Sequence, residues 1–258
     1  SKSIALIHQL AREYWFSQVI WPFNLIGFLL EPVYLKLYRK TPTLAISQST
    51  KSDLDKLGFE KIQIIRIGLD FQPQLVTAKQ NKIIFIGRLT KAKNPLHAIE
   101  AFKIIHEKMP YTKLFMVGRG KSTIEKSLKN LIQKNKLGKS IILTGFISQT
   151  AKLDLLKKAK VVFIPSIREG WSLVASEATA LSCIPIGYDV PGLQDSIKNR
   201  QTGLLTKPNA QALAEKTLLL LNNNHLRVKL AKTGYLESKK LSWDNTYEDV
   251  KKFILSEK

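Results

Sequence analysis

From residue 82 onward the chain alternates between two hydrophobic rhythms. Short apolar runs rich in β-branched residues fall at 83–86, 113–117, 141–144, 161–164, 184–187 and 203–206. Such runs fit strands buried on both faces, as in a parallel sheet. Between them apolar residues recur at helical spacing, as in 95–108, where Ile99, Phe102 and Ile105 share one face. This alternation predicts βαβ units and a doubly wound parallel sheet. Upstream the rhythm is looser. Strands are predicted at 4–7, 43–46 and 61–67, with a Ser- or Thr-capped helix after the second. Residues 14–38 are aromatic and apolar, broken by Pro22 and Pro32. Their uncharged part, 14–30, contains Pro22 and Asn24 and makes a poor membrane span. The expectation is a helical pair packed on a sheet, the alternative an interfacial segment lying on a bilayer. Residues 243–255 read as one amphipathic helix.

The pattern divides the chain into a first α/β segment (1–72), a polar connection containing Pro73 (73–81), a second α/β segment (82–240) and a last helix (241–258). A chain of 258 residues suits one large domain or two small ones. It opens on Ser1 and runs straight into a strand, without a signal-peptide pattern. The single cysteine, Cys183, excludes an internal disulfide and a cysteine-based zinc site, and fits a reducing, cytoplasmic setting. The formal net charge of +21 changes the picture more. It favours phosphate-bearing partners, namely nucleotides, nucleic acid or an anionic membrane, or else reflects a lysine-rich, solubilising surface. Nucleic acid is set aside, because clustered aromatics and a recognisable binding motif are lacking.

The chemistry gathers around V-V-F-I-P-S-I-R-E-G-W-S-L-V-A-S-E, residues 161–177: strand, loop, helix. In open α/β sheets ligands bind at the carboxyl ends of the strands, where this loop lies. If Ser172 caps the helix, Leu173, Glu177 and Leu181 share a row, so a carboxylate lies among leucines. A buried carboxylate needs a partner, and paired sugar hydroxyls would supply one. Alternatively Glu177 merely complements the helix dipole. Gly87 and Arg88 close the strand at 83–86, and Lys93 precedes Asn94-Pro95 at a helix start. There a glycine lets a ligand approach, and two cations can grip a diphosphate. As residues alone, the two cations are equally a solvated pair. Gly118-Arg119-Gly120 lacks the third glycine of a dinucleotide fingerprint, Thr123 standing in its place. His97, His106 and His225 lack metal-ligand spacing, and no carboxylate pair suggests glycoside hydrolysis.

The run R-E-G-W-S-L-V-A-S-E-A resembles the Glu-x7-Glu signature of retaining glycosyltransferases, in particular family 4. I-G-R-L-T-K-A-K-N (86–94) and G-Y-D-V-P-G-L-Q-D-S-I (187–197) resemble two further blocks of that family, in the right order. The resemblance covers nearly the whole chain. It implies a GT-B architecture: a complete, Rossmann-like donor-binding lobe and the last part of an acceptor-side lobe. It implies transfer of a sugar from a nucleotide-sugar to a hydroxyl acceptor with retention of configuration, in cell-envelope or glycan synthesis, without a metal or other cofactor. In that scheme Arg88 and Lys93 clamp the diphosphate, and Gly87, Gly118 and Gly145 line the nucleotide. Glu177 binds the ribose diol, and Glu169 lies nearer the transferred sugar. Backbone N–H groups of Gly170, Trp171, Ser172 and Leu173 face sugar and phosphate, and His8 lies beside the sugar. Glycines of the family are replaced by Ser172 and Ser182, which narrows the approach to the donor. A non-catalytic nucleotide-sugar-binding module is the alternative. The acceptor is expected to be lipid-linked or a glycan, with peripheral docking on an anionic inner leaflet through basic and aromatic residues of the first lobe.

Overall fold

The computed structural model describes residues 3–256. The outermost residues of the predicted first and last segments, 1–2 and 257–258, lie outside it. The first lobe carries β1 (Ala5–Ile7), α1 (Tyr14–Gln18), α2 (Phe23–Leu35), β2 (Thr43–Ala45), α3 (Gln48–Lys56) and β3 (Ile62–Ile64). Its strands form a parallel sheet in the order β1-β2-β3. Central β2 is buried on both faces, so its side chains alternate between two cores. Ala45 packs with Leu10, Leu54, Leu57 and Phe59. Leu44 joins Ile46, Ile65 and Phe253 on the opposite face. Ser47 caps α3 by accepting from Thr50 N at 3.1 Å.

The second lobe contains β4 (Gln80–Ile86), α4 (Pro95–Lys108), β5 (Lys113–Val117), α5 (Ser122–Lys134), β6 (Ile141–Gly145), α6 (Gln149–Lys158) and β7 (Ala159–Ile164). It continues through α7 (Leu173–Ala180), β8 (Ile184–Tyr188), α8 (Leu193–Ser196), β9 (Leu204–Thr206), α9 (Ala210–Asn222) and α10 (Asn224–Ser238). All its strands are parallel, in the order β6-β5-β4-β7-β8-β9. This is the expected doubly wound α/β sheet, and the chain reverses direction across it between β4 and β7. In those two strands Ile83, Ile84, Val161, Val162 and Phe163 are fully enclosed. α4 packs on α5 and α9, and α7 on α6 and α10, in two helical layers.

The connection after β3 does not hang free. Gln74 N donates to Ala180 O at 2.8 Å and Val76 N to Ser182 Oγ at 3.0 Å, which lays it along the end of α7. Lys79 is drawn in behind it, donating to Leu181 O at 2.6 Å and Leu156 O at 3.1 Å. Burial pulls its pKa down to about 8. The last helix, α11 (Trp243–Ser256), returns to the first lobe: Phe253 enters its core and Asp249 pairs with Arg66 at 2.7 Å. The two crossings run side by side, joined by Leu69 N donating to Leu241 O at 3.2 Å and Trp243 Nε1 to Asp70 at 2.8 Å.

One expectation is overturned. Residues 14–38 do form a helical pair, α1 and α2, but α2 is not packed into a core. Trp21 is 76% exposed and Leu37 81%, and Phe23, Leu29, Leu30 and Val33 are each more than half exposed. The buried residue of α2 is its single acid, Glu31, whose carboxylate accepts from Ala11 N at 2.5 Å and Arg12 N at 2.9 Å. The helix is anchored by a hydrogen-bonded charge, and its apolar side faces outward.

Candidate active site

The reversal between β4 and β7 opens a cleft at the carboxyl ends of the strands, and of the sequence-predicted residues Lys93, Glu169, Trp171, Ser172 and Leu173 line a cavity there. Its floor is a run of glycine turns. Gly87 N donates to Val117 O at 3.0 Å and Gly118 N to Gly145 O at 2.9 Å, linking the ends of β4, β5 and β6. At Gly118 φ is +137°, and a Cβ would lie 1.9 Å from Gly87 O. A side chain there has no room, so this floor stays bare backbone.

A cavity of about 210 Å³ opens at the ends of β4 and β7, lined by Lys93, Pro165, Ser166, Glu169, Ser172 and Leu173 among others. Lys93 ends a short helical turn held by Asn94, which takes a left-handed conformation and donates Nδ2 to Pro165 O at 2.9 Å. The Lys93 ammonium does not point freely into the cavity; it is ion-paired with Glu169. Arg88 is exposed on the rim, near enough to Tyr14 for its charge to oppose the rise in that phenol's pKa. Burial, and then the charge of Glu169, drive that rise.

Glu177 sits beyond the first turn of α7 and is 8% exposed, so it is not placed as a dipole-complementing acid. It does not share a buried row with leucines either, because Leu173 is half exposed. Its Oε1 accepts from Lys152 Nζ at 2.7 Å and Gln149 Nε2 at 3.3 Å, both from α6. Its Oε2 is buried without a partner. Protein groups thus satisfy one oxygen and leave the other unpaired.

Ser172 and Ser182 are each held by local bonds. Ser172 Oγ caps α7, accepting from Ala175 N at 3.3 Å, which turns the hydroxyl into the helix. Ser182 takes a φ of +58°, where glycine is favoured, and its hydroxyl accepts from Val76 N. Gly170 lies against the first lobe, since a Cβ would come 2.4 Å from His8 O. His8 itself is exposed, its carbonyl accepting from Thr50 Oγ1 at 3.0 Å. Trp171 borders the cavity, but packs its ring on the Leu44, Ile46, Ile65 and Phe253 core. Among the described residues, no His, Cys, Asp or Glu side chains group as a metal site.

Sequence reasoning missed Lys152 and Gln149, which reach Glu177 from another helix, and Arg168, treated below. It also missed the contacts of Ser49 with the turn and short helix α8 that follow β8. Ser49 N donates to Asp195 Oδ2 at 3.2 Å, and Gly192 N to Ser49 Oγ at 3.1 Å. No local pattern announces pairs so distant in the chain.

The profile of a family described as "Glycosyl transferases group 1" matches residues 68–237. An uncharacterized glycosyltransferase of Methanocaldococcus jannaschii is 30% identical over 210 residues, covering 81% of this chain and 58% of its own. The capsular polysaccharide biosynthesis glycosyltransferase CapM of Staphylococcus aureus is 27% identical over 229 residues, covering 80% and 58%. This chain therefore spans 58% of the length of either relative. Among solved structures, sucrose-phosphate synthase of Thermosynechococcus elongatus superimposes with a TM-score of 0.82 at 20% identity, over 99% of this chain and 67% of that one. HepE of Anabaena, solved with UDP, gives 0.81 at 16% identity, over 98% and 72%. Both share the fold.

Proposed function

The chain belongs to the group 1 glycosyl transferases, and from that premise we propose that it transfers a hexose from a nucleotide-sugar to a hydroxyl acceptor with retention of configuration, as in family 4. The observation that carries this reading is the buried, unpartnered Oε2 of Glu177, whose other oxygen is held from α6, the helix that follows the Gly145 turn. A ribose diol supplies the missing donor, and the bare backbone admits the nucleotide. Lys93 and Arg88 then meet the diphosphate at the start of α4, where the helix dipole favours anions. As the sugar bond breaks, charge develops on the departing diphosphate. Each cation stabilises that charge by on the order of 3 kcal/mol. On this reading two side-chain cations and a helix terminus supply the neutralising charge in place of a metal. Glu169 and the N–H groups of residues 170–173 hold the sugar, and His8 approaches it from the first lobe.

We further assign the acceptor to cell-envelope or glycan synthesis, and place the protein on the cytoplasmic face of an anionic membrane. No helix among the described residues is long and apolar enough to cross a membrane. The outward apolar face of α2 runs into Lys36, Arg39 and Lys40 on a chain of net charge +21, an arrangement that suits an anionic lipid surface. The closed Lys93–Glu169 ion pair favours one second reading, a module that binds the nucleotide-sugar without turning it over. Calorimetric titration with UDP, GDP and ADP, followed by a turnover assay with the matching nucleotide-sugars, tests both. Absence of binding to all three sinks the assignment, and binding without turnover leaves the module.

A further inference from the structure

A buried guanidinium beside the cleft has no task in the reading above. Arg168 directly precedes Glu169 and is 6% exposed. It belongs to the second lobe, yet its partners belong to the first. It pairs with Asp53 of α3, and Nη1 meets Glu13 Oε2 at 3.1 Å. Its carbonyl accepts from the Tyr14 hydroxyl at 2.6 Å. From the second lobe the same turn is held on both sides. Ile167 N donates to Ala92 O at 3.0 Å and Glu169 N to Pro191 O at 3.1 Å.

Taking a guanidinium out of water costs several kcal/mol, and the cost is met only where hydrogen-bonded carboxylates face it. Here those carboxylates come from 115 and 155 residues away in sequence, and Nε is left buried without a partner. The arrangement exists only while the lobes are apposed. The side chains of Arg168 and Glu169 leave the turn in opposite senses, one to the first lobe and the other to Lys93.

We propose that Arg168 is a positioning residue. With Tyr14 and Asp53 it latches the lobes together and sets the orientation of Glu169 toward the cleft. The proposal rests on the reading of Glu169 as a carboxylate that faces the donor. Parting the lobes pulls Asp53 and Tyr14 from Arg168, and the turn is then held from one lobe alone. Glu169 is thus in working position only when the lobes are closed, a form of conformational gating.

The test uses the full chain and two mild first-lobe variants, Asp53→Asn and Tyr14→Phe, with Arg168→Gln as a third. Hydrogen exchange is followed in peptides spanning 165–171 and, as a control, in β4 and β5. Exchange in 165–171 is expected to quicken by about tenfold in each variant while the control is unchanged, as for local opening. Wild-type exchange in that segment in Asp53→Asn and Tyr14→Phe overturns the latch. UDP affinity should stay within about twofold while UDP-glucose turnover falls on the order of 10- to 100-fold, as for a misplaced catalytic group. Equal losses of affinity and turnover overturn the positioning role. A wild-type chain that binds none of UDP, GDP and ADP and turns over none of their sugar conjugates sinks the transferase reading instead, and hydrogen exchange then decides the latch by itself.

Discussion

Lys93 and Glu169 are ion-paired across the mouth of the cleft, from turns that follow β4 and β7 and lie 76 residues apart. Both ends of the pair are only partly buried, so its contribution is at most about 1 kcal/mol. A diphosphate must take Lys93 from Glu169 or share it. Glu169→Gln should therefore bind UDP about two- to fivefold more tightly, the equivalent of that released energy, while losing turnover. Arg88→Ala, on the rim, should lower turnover by about 100-fold with uridine affinity unchanged. Calorimetry and a turnover assay read both. Weaker UDP binding by Glu169→Gln would place Glu169 on the nucleotide instead.

Glu177→Ala should weaken UDP binding by about 1.5–3 kcal/mol, the range for hydrogen bonds to a charged group. It also strands the Lys152 ammonium, which Glu177 now accepts from at 2.7 Å. The double variant Glu177→Ala/Lys152→Met removes that second effect and should remain folded with the same low affinity. Unaltered UDP affinity in either folded variant would show that the vacant oxygen of Glu177 serves no ligand.

The buried Lys79 ammonium makes stability depend on alkaline pH. Its pKa is about 8 in the folded chain against an ordinary 10.5, with burial as the leading cause. Between these values the unfolded chain binds more protons than the folded one, so this group makes stability rise with pH. Below about pH 8 its unfavourable effect is fully present, and it fades as pH climbs toward 10.5. Urea midpoints of wild type, compared with those of Lys79→Met from pH 7 to 10.5, should show this rise in the wild type alone. Parallel curves would mean that Lys79 is not titrating in this range.

Vesicles containing acidic lipids should sediment the protein, and neutral vesicles should not. Each Lys or Arg near the surface contributes on the order of 1 kcal/mol, screened by salt. Leu29→Glu and Leu30→Glu, both on the exposed face of α2, should abolish sedimentation without lowering thermal stability. Equal binding to neutral vesicles at high salt would indicate apolar insertion alone. Self-association lost in the same variants, with no vesicle binding, would make the face a contact between copies.

How far the sequence revealed the molecule depended on how local each signal was. Val161, Val162, Phe163 and Ile164 read as a doubly buried strand because both of their faces are covered. Ile99, Phe102 and Ile105 read as the buried face of α4, and Asn94-Pro95 marked its start. The same logic misplaced residues 14–38, since an apolar helix has one appearance whether it faces a core or the outside. Gly87 was legible as the close of a strand, while Gly118 and Gly145 were singled out only by the family resemblance; all three take positive φ. Arg168 was not, because the residues that give it meaning are Glu13, Tyr14 and Asp53, far away in the chain. Lys152 and Glu177 likewise meet only once α6 and α7 are packed.

The side-by-side crossings at Leu69 and Leu241 determine how the lobes can move. A single tether would let one lobe swivel in any direction. Two passages of chain, bonded to each other and pinned by Trp243 on Asp70 and Asp249 on Arg66, act as a door hinge. Bending about that line remains soft, while twisting strains both passages together. Arg168 and Asp53, one from each lobe, must part if such a swing opens the cleft. Cutting the chain between α10 and α11 would convert the door into a pendulum, with each lobe still folded around its own sheet.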